Sequence, residues 1–170
     1  MKSTILKYLI ITAIIMFAVF LSDLNYKYGD FKDFTSMLMG VSAMVFTIMG
    51  IWIAFLYPDA LKRFVENDSN KLVLLQAKKD TTRLQAIVLS VLKSALVVTV
   101  IMMLFLLKLI LSATSLYIEN LLLIKQMVLV VTILMCYIQL ESIFSVVISN
   151  IYFLNDLHSK KEQRESTDDL

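Results

Sequence analysis

Ser36 to Pro58, SMLMGVSAMVFTIMGIWIAFLYP, constrains this chain more than any other stretch. It runs 23 residues with no charge until Asp59. An apolar run of that length crosses a bilayer core as a helix. Its small residues are ordered: Ser36, Gly40, Ala43, Thr47, Gly50 and Ala54 recur at steps of 4, 3, 4, 3 and 4, which places them on one side of a helix. Lipid gives little hydrophobic drive for helix association, so transmembrane helices meet by close packing, and small side chains permit the approach. The face is therefore read as a seam for other helices. Its plainest use is packing within the chain; a subunit interface and a pore lining are the alternatives.

The rest of the composition agrees. The 170 residues are 59% hydrophobic, with three glycines and one proline, and a mean hydropathy of +0.79. This is a polytopic membrane composition, not a soluble domain. A net charge of +2 is too small for a nucleic-acid surface, and the charges cluster between apolar runs. Cys136 is the only cysteine, which excludes an intrachain disulfide.

Taken in order, the sequence predicts an all-α integral membrane protein with four transmembrane helices, the third and fourth extended into the cytoplasm. The spans are expected at about 5–22, 36–57, 87–110 and 121–144, within one domain over 1–154. The first apolar run is read as an uncleaved span because residues 18–22 match a signal-peptide cleavage site poorly. Residues 23–35 form a polar loop whose Tyr26 and Tyr28 suit an interfacial belt. Pro58 is expected to mark the exit of the second span. A cytoplasmic segment follows over 58–86, with a turn at Asn67-Asp68-Ser69-Asn70. Residues 112–120 make a short connection between antiparallel neighbours. The fourth helix continues as an extension over 145–154, and 155–170 reads as a disordered tail.

Orientation follows from charge. The N-terminus, the 58–83 segment and the tail hold eleven Lys and Arg, against four in the two opposite loops and their flanks. The positive-inside rule then places both termini in the cytoplasm.

Three polar features stand out. Lys93 and Glu141 are ionisable residues inside spans, where charge is costly and usually paired or functional. They are expected either to form an ion pair between spans three and four or to snorkel separately. Thr132, Cys136, Gln139, Ser142, Ser145 and Ser149 make a weakly polar stripe on span four, read as interhelical hydrogen bonding or as the lining of a wet cavity. Lys62, Arg63, Lys71, Lys78, Lys79 and Arg83 make the cytoplasmic segment basic and form a candidate docking surface for a soluble protein. Catalytic, cofactor and metal sites are not expected. His158 stands alone in the tail, and the sequence holds no phosphate-binding glycine loop, no Cys/His cluster and no nucleophile beside a base.

Residues 50–58, Gly-Ile-Trp-Ile-Ala-Phe-Leu-Tyr-Pro, followed by the basic segment, resemble the small four-span membrane subunit of the Kiwa bacterial phage-defence system. That resemblance implies an oligomer that engages a soluble, DNA-binding cytoplasmic partner. The chain itself would not touch nucleic acid, and no family functional residue maps onto it. Small multidrug transporters also have four spans but carry a glutamate in the first, which this chain lacks. Holins share the charged tail. The function expected is a non-enzymatic, oligomeric sensor or anchor in the inner membrane, its partners being the lipid bilayer, copies of itself and a soluble protein. The alternative is a pore-forming or holin-like permeabiliser, or a small channel or transporter.

Overall fold

A computed structural model describes residues 2–22, 26–65, 71–112 and 114–168, with side chains described over 5–22, 26–54, 82, 84–112, 114, 117–152, 155 and 158. The described chain is all helical: α1 (Lys2–Leu21), α2 (Tyr28–Val65), α3 (Lys71–Leu111), α4 (Ser115–Glu119) and α5 (Leu121–Asp168). Among the described residues three helices are long and apolar enough to cross a membrane, over Tyr28–Ala54, Leu84–Leu111 and Leu121–Tyr152. The apolar part of α1, Ile5–Leu21, has 17 residues, about 26 Å at ~1.5 Å per residue, against a hydrocarbon core of ~30 Å.

Several element boundaries differ from the sequence reading. α2 begins at Tyr28 rather than Ser36, so most of the expected 23–35 loop is helix. Asp30 in the first turn favours this start through the helix dipole. α2 also passes through Pro58 to Val65. Proline forfeits one hydrogen bond, to the carbonyl four residues back, but its fixed φ suits the first turn of the segment that follows. The helix-forming Ala60-Leu61-Lys62-Arg63 carries the helix onward. The expected disordered tail over 155–170 is instead helical to Asp168. No glycine or proline follows Pro58, and extending an existing helix through Lys160–Glu165 needs no new nucleus. The turn proposed at 67–70 lies outside the described residues.

The chain divides into two compact units. The first comprises residues 1–44 and 93–140. Its core is Leu38 of α2, Val97 and Ile101 of α3 and Met135 of α5, with Met39, Phe105 and Val131 packed around them. α1 joins this unit along a narrow stripe: Val19 is buried, Tyr8, Ile11, Thr12 and Ile15 are half-buried, and the Tyr8 ring meets Tyr137 edge-on at 6.4 Å. The second unit comprises residues 45–92 and 141–170. Its core is Val45 and Met49 of α2 and Ile87 of α3, with Trp52, Val91, Ile143 and Val146 around them.

Each long helix buries a stripe at alternating steps of three and four: Thr35, Leu38, Ser42, Val45 and Met49 on α2, and Ile87, Ser90, Ser94, Val97 and Ile101 on α3. That periodicity is the packing geometry of slightly inclined helices. The buried set is as rich in Ser, Thr and Gln as in apolar residues, while leucine and isoleucine dominate the outside. This is the distribution expected of helices that meet through small side chains in an apolar solvent.

Candidate functional site

The small-residue face of α2 is not where the chain packs against itself. Ser36, Gly40, Ala43, Thr47, Gly50 and Ala54 are all exposed. The buried stripe of the same helix lies about 140° around the axis at 3.6 residues per turn. A Cβ added at Gly40 or Gly50 would meet nothing within 4 Å. Met37, Met44, Ile48 and Ile51, all exposed, form a ridge along one side of the strip. Intrachain packing, the plainest use of this face, is therefore set aside: the helix docks through Leu38, Ser42, Val45 and Met49 instead, because that stripe combines close approach at Ser42 with apolar bulk on either side of it.

The α5 stripe takes the opposite environment. Thr132, Gln139, Ser142 and Ser149 are buried, and Cys136 and Ser145 are half-buried. The Thr132 hydroxyl donates to the Val128 carbonyl of its own helix at 2.9 Å. The Ser142 hydroxyl donates across to the Ser90 carbonyl of α3 at 2.9 Å. Gln139 is 1% exposed, and among the described residues neither its Nε2 nor its Oε1 has a hydrogen-bond partner. Sequence spacing found this face but not its counterparts, Thr35 and Ser42 on α2 and Ser90 and Ser94 on α3. Those residues are interleaved with apolar ones and show no stripe of their own.

Lys93 is half-buried on α3 in the first unit, and Glu141 is half-buried on α5 at the start of the second unit's last segment. The six basic residues of the candidate docking surface sit on helical backbone, Lys62 and Arg63 in α2 and Lys71, Lys78, Lys79 and Arg83 in α3; their side chains lie outside the described set. His158 is exposed. Among the described residues, no three His, Cys, Asp or Glu side chains cluster as metal ligands would.

A site that the sequence reading missed lies in the first unit, where α2 begins, α3 ends and α5 begins. A cavity of about 260 Å³ is lined by Tyr26, Tyr28, Tyr117, Lys108 and Lys125 over an apolar floor that includes Ile101, Phe105 and Val128. Local structure sets each group. The last turn of α3 is closed by Ser112 N–H donating to the Lys108 carbonyl at 2.9 Å and by the Thr114 hydroxyl donating to Leu111 at 2.7 Å, which turns the chain into α4. The Tyr26 hydroxyl donates to the Lys125 carbonyl at 3.0 Å and ties the loop before α2 to α5. The Lys108 ammonium stands 2.8 Å from the centre of the Tyr28 ring, and that of Lys125 stands 5.9 Å from the Tyr26 ring, both within cation–π range. Burial raises the Tyr26 phenol above its ordinary value of 10, and Tyr117 adds to the shift. Tyr26 and Tyr28 were legible as belt residues, and Lys108 and Lys125 as loop-flanking charges. Their convergence was not, because they come from three elements separated by up to 99 positions.

Comparison of the chain with protein-family models, curated proteins and solved structures returned no match.

Proposed function

We propose that this chain is a non-enzymatic, oligomeric membrane component whose copies meet through the small-residue face of α2. The observation that carries the reading is the exposure of all six residues of that face, on a helix that uses a different stripe for its own chain. In this reading α1 is a fourth span, both termini are cytoplasmic, and the membrane is a bacterial inner membrane. The helical segments beyond the apolar windows, 55–65, 71–83 and 153–168, then project into the cytoplasm and carry the basic surface for a soluble protein partner. The resemblance to a phage-defence membrane subunit gives the biological setting, a sensor or anchor.

The buried state of Thr132, Gln139, Ser142 and Ser149 supports the scaffold over the pore, since a conducting lining needs its polar groups on a wet axis. The test is native mass spectrometry of the full chain in mild detergent, beside the Gly40→Leu/Gly50→Leu double variant. The proposal expects a defined homo-oligomer that the double variant converts to monomer without loss of helicity. A monomeric unmodified chain, or an oligomer indifferent to both substitutions, refutes it. An intact oligomer that conducts ions in planar bilayers returns the pore.

A further inference from the structure

We infer that the Tyr–Lys cavity of the first unit, with the groove that leaves it along α3, is a binding site for one anionic phospholipid. The cavity at the common end of α2, α3 and α5 holds two half-buried ammonium groups, Lys108 and Lys125. Each rests against a tyrosine ring, and among the described residues no carboxylate lines the cavity. The described lining is thus basic, and an anionic ligand complements it. Tyr28, Leu111 and Leu121 are the terminal residues of the three apolar windows, so these charges sit at the level where lipid headgroups lie and where tyrosine and lysine concentrate.

The apolar half of the ligand has its own place. A second, more open groove of about 820 Å³ shares Tyr28, Phe105 and Lys108 with the cavity and continues past Leu106 and Met102 to Thr99. From Lys108 to Thr99 is nine helical positions, about 13 Å at ~1.5 Å per residue. One leaflet of a ~30 Å hydrocarbon core is about 15 Å deep, so the groove runs from headgroup level nearly to the midplane, the reach of one acyl chain. The partly open cavity of about 260 Å³ falls just below the ~300 Å³ of pockets that take drug-sized molecules, which suits a phosphate head better than a whole soluble ligand. The Tyr26 tie to Lys125 closes the head site from the loop side. This assignment does not depend on oligomerisation.

The test uses the delipidated full chain in zwitterionic detergent, with phosphatidylglycerol, chain-matched phosphatidylcholine and inorganic phosphate as probes. Retention is read by native mass spectrometry and thermal stabilisation is followed in parallel. One phosphatidylglycerol should be retained per chain, with a preference of about 30-fold over phosphatidylcholine, roughly fivefold for each lysine. Lys108→Gln/Lys125→Gln should abolish the preference, and Lys108→Arg/Lys125→Arg should keep most of it. Thr99→Phe, which fills the groove, should weaken both lipids alike. Equal retention of the two lipids by the unmodified chain overturns the inference whatever the variants do. So does a preference that survives the double glutamine variant, and so does phosphate alone stabilising the protein as well as phosphatidylglycerol does.

Discussion

Replacing Gln139 with methionine should stabilise the folded chain. The amide is 1% exposed and both of its polar atoms lack partners among the described residues, so folding strips them of water without compensation. A buried amide in that state costs about 1–3 kcal/mol by mutational measure. Methionine has nearly the same volume and helix propensity, so neither a cavity nor a propensity cost offsets the gain. The expected stabilisation is about 1–3 kcal/mol, a shift of roughly 5- to 150-fold in the unfolding equilibrium. Alanine is the control: it removes the same polar penalty but opens a cavity that costs about 2–5 kcal/mol, so it should destabilise. The assay is reversible unfolding in mixed micelles at rising SDS fraction, followed by circular dichroism. Destabilisation by Gln139→Met of about 1 kcal/mol or more, a magnitude typical of a lost hydrogen bond, would show that the amide is paired in the working protein and refute the reasoning.

Ser42→Leu should destabilise by about 1–3 kcal/mol through overpacking of a fully buried contact. Gly40→Leu, two residues earlier on the same helix, should not destabilise the monomer, because open space surrounds it and leucine is the better helix former; equal destabilisation in the SDS titration would contradict the placement of the two stripes. Ser142→Ala should cost about 0.6 kcal/mol, the average for such bonds in a membrane, because it removes the bond to the Ser90 carbonyl; a loss above about 2 kcal/mol in the same titration exceeds the largest such values and would contradict the assignment. Tyr26→Phe should cost about 0.5–1.5 kcal/mol at neutral pH by removing the bond to Lys125. The Tyr26 phenol ionises above its ordinary value of 10, so its contribution is complete below pH 10 and is lost as pH rises through the folded value. The unmodified chain should therefore lose stability over that alkaline window, and the phenylalanine variant should lose less; identical alkaline profiles would exclude the linkage.

Much of the architecture was legible because it depends on one dimension only. Long uncharged runs, the absence of glycine and proline after Pro58, and the spacing of polar residues on α5 are properties of a single helix, and a bilayer imposes them on any sequence that crosses it. The α5 residues marked in this way lie buried or half-buried along that helix. The helix ends were less legible, because Pro58 costs a hydrogen bond inside a helix without being bound to end it, and the charged 155–168 segment, a poor nucleus by itself, extends a helix already formed. Two matters were decided by tertiary structure alone. Spacing marked one face of α2 as able to pack, the small-residue strip, and did not mark the Leu38–Met49 stripe through which the chain docks; that choice rests on how side chains of neighbouring helices interlock with each face, which is a property of pairs of helices. The Tyr–Lys cavity likewise arises where residues from three elements converge. Its polar groups had been visible singly, as Tyr26, Lys108 and Lys125, but their shared pocket exists only once α4 turns the chain and the Tyr26 hydroxyl ties the loop to α5.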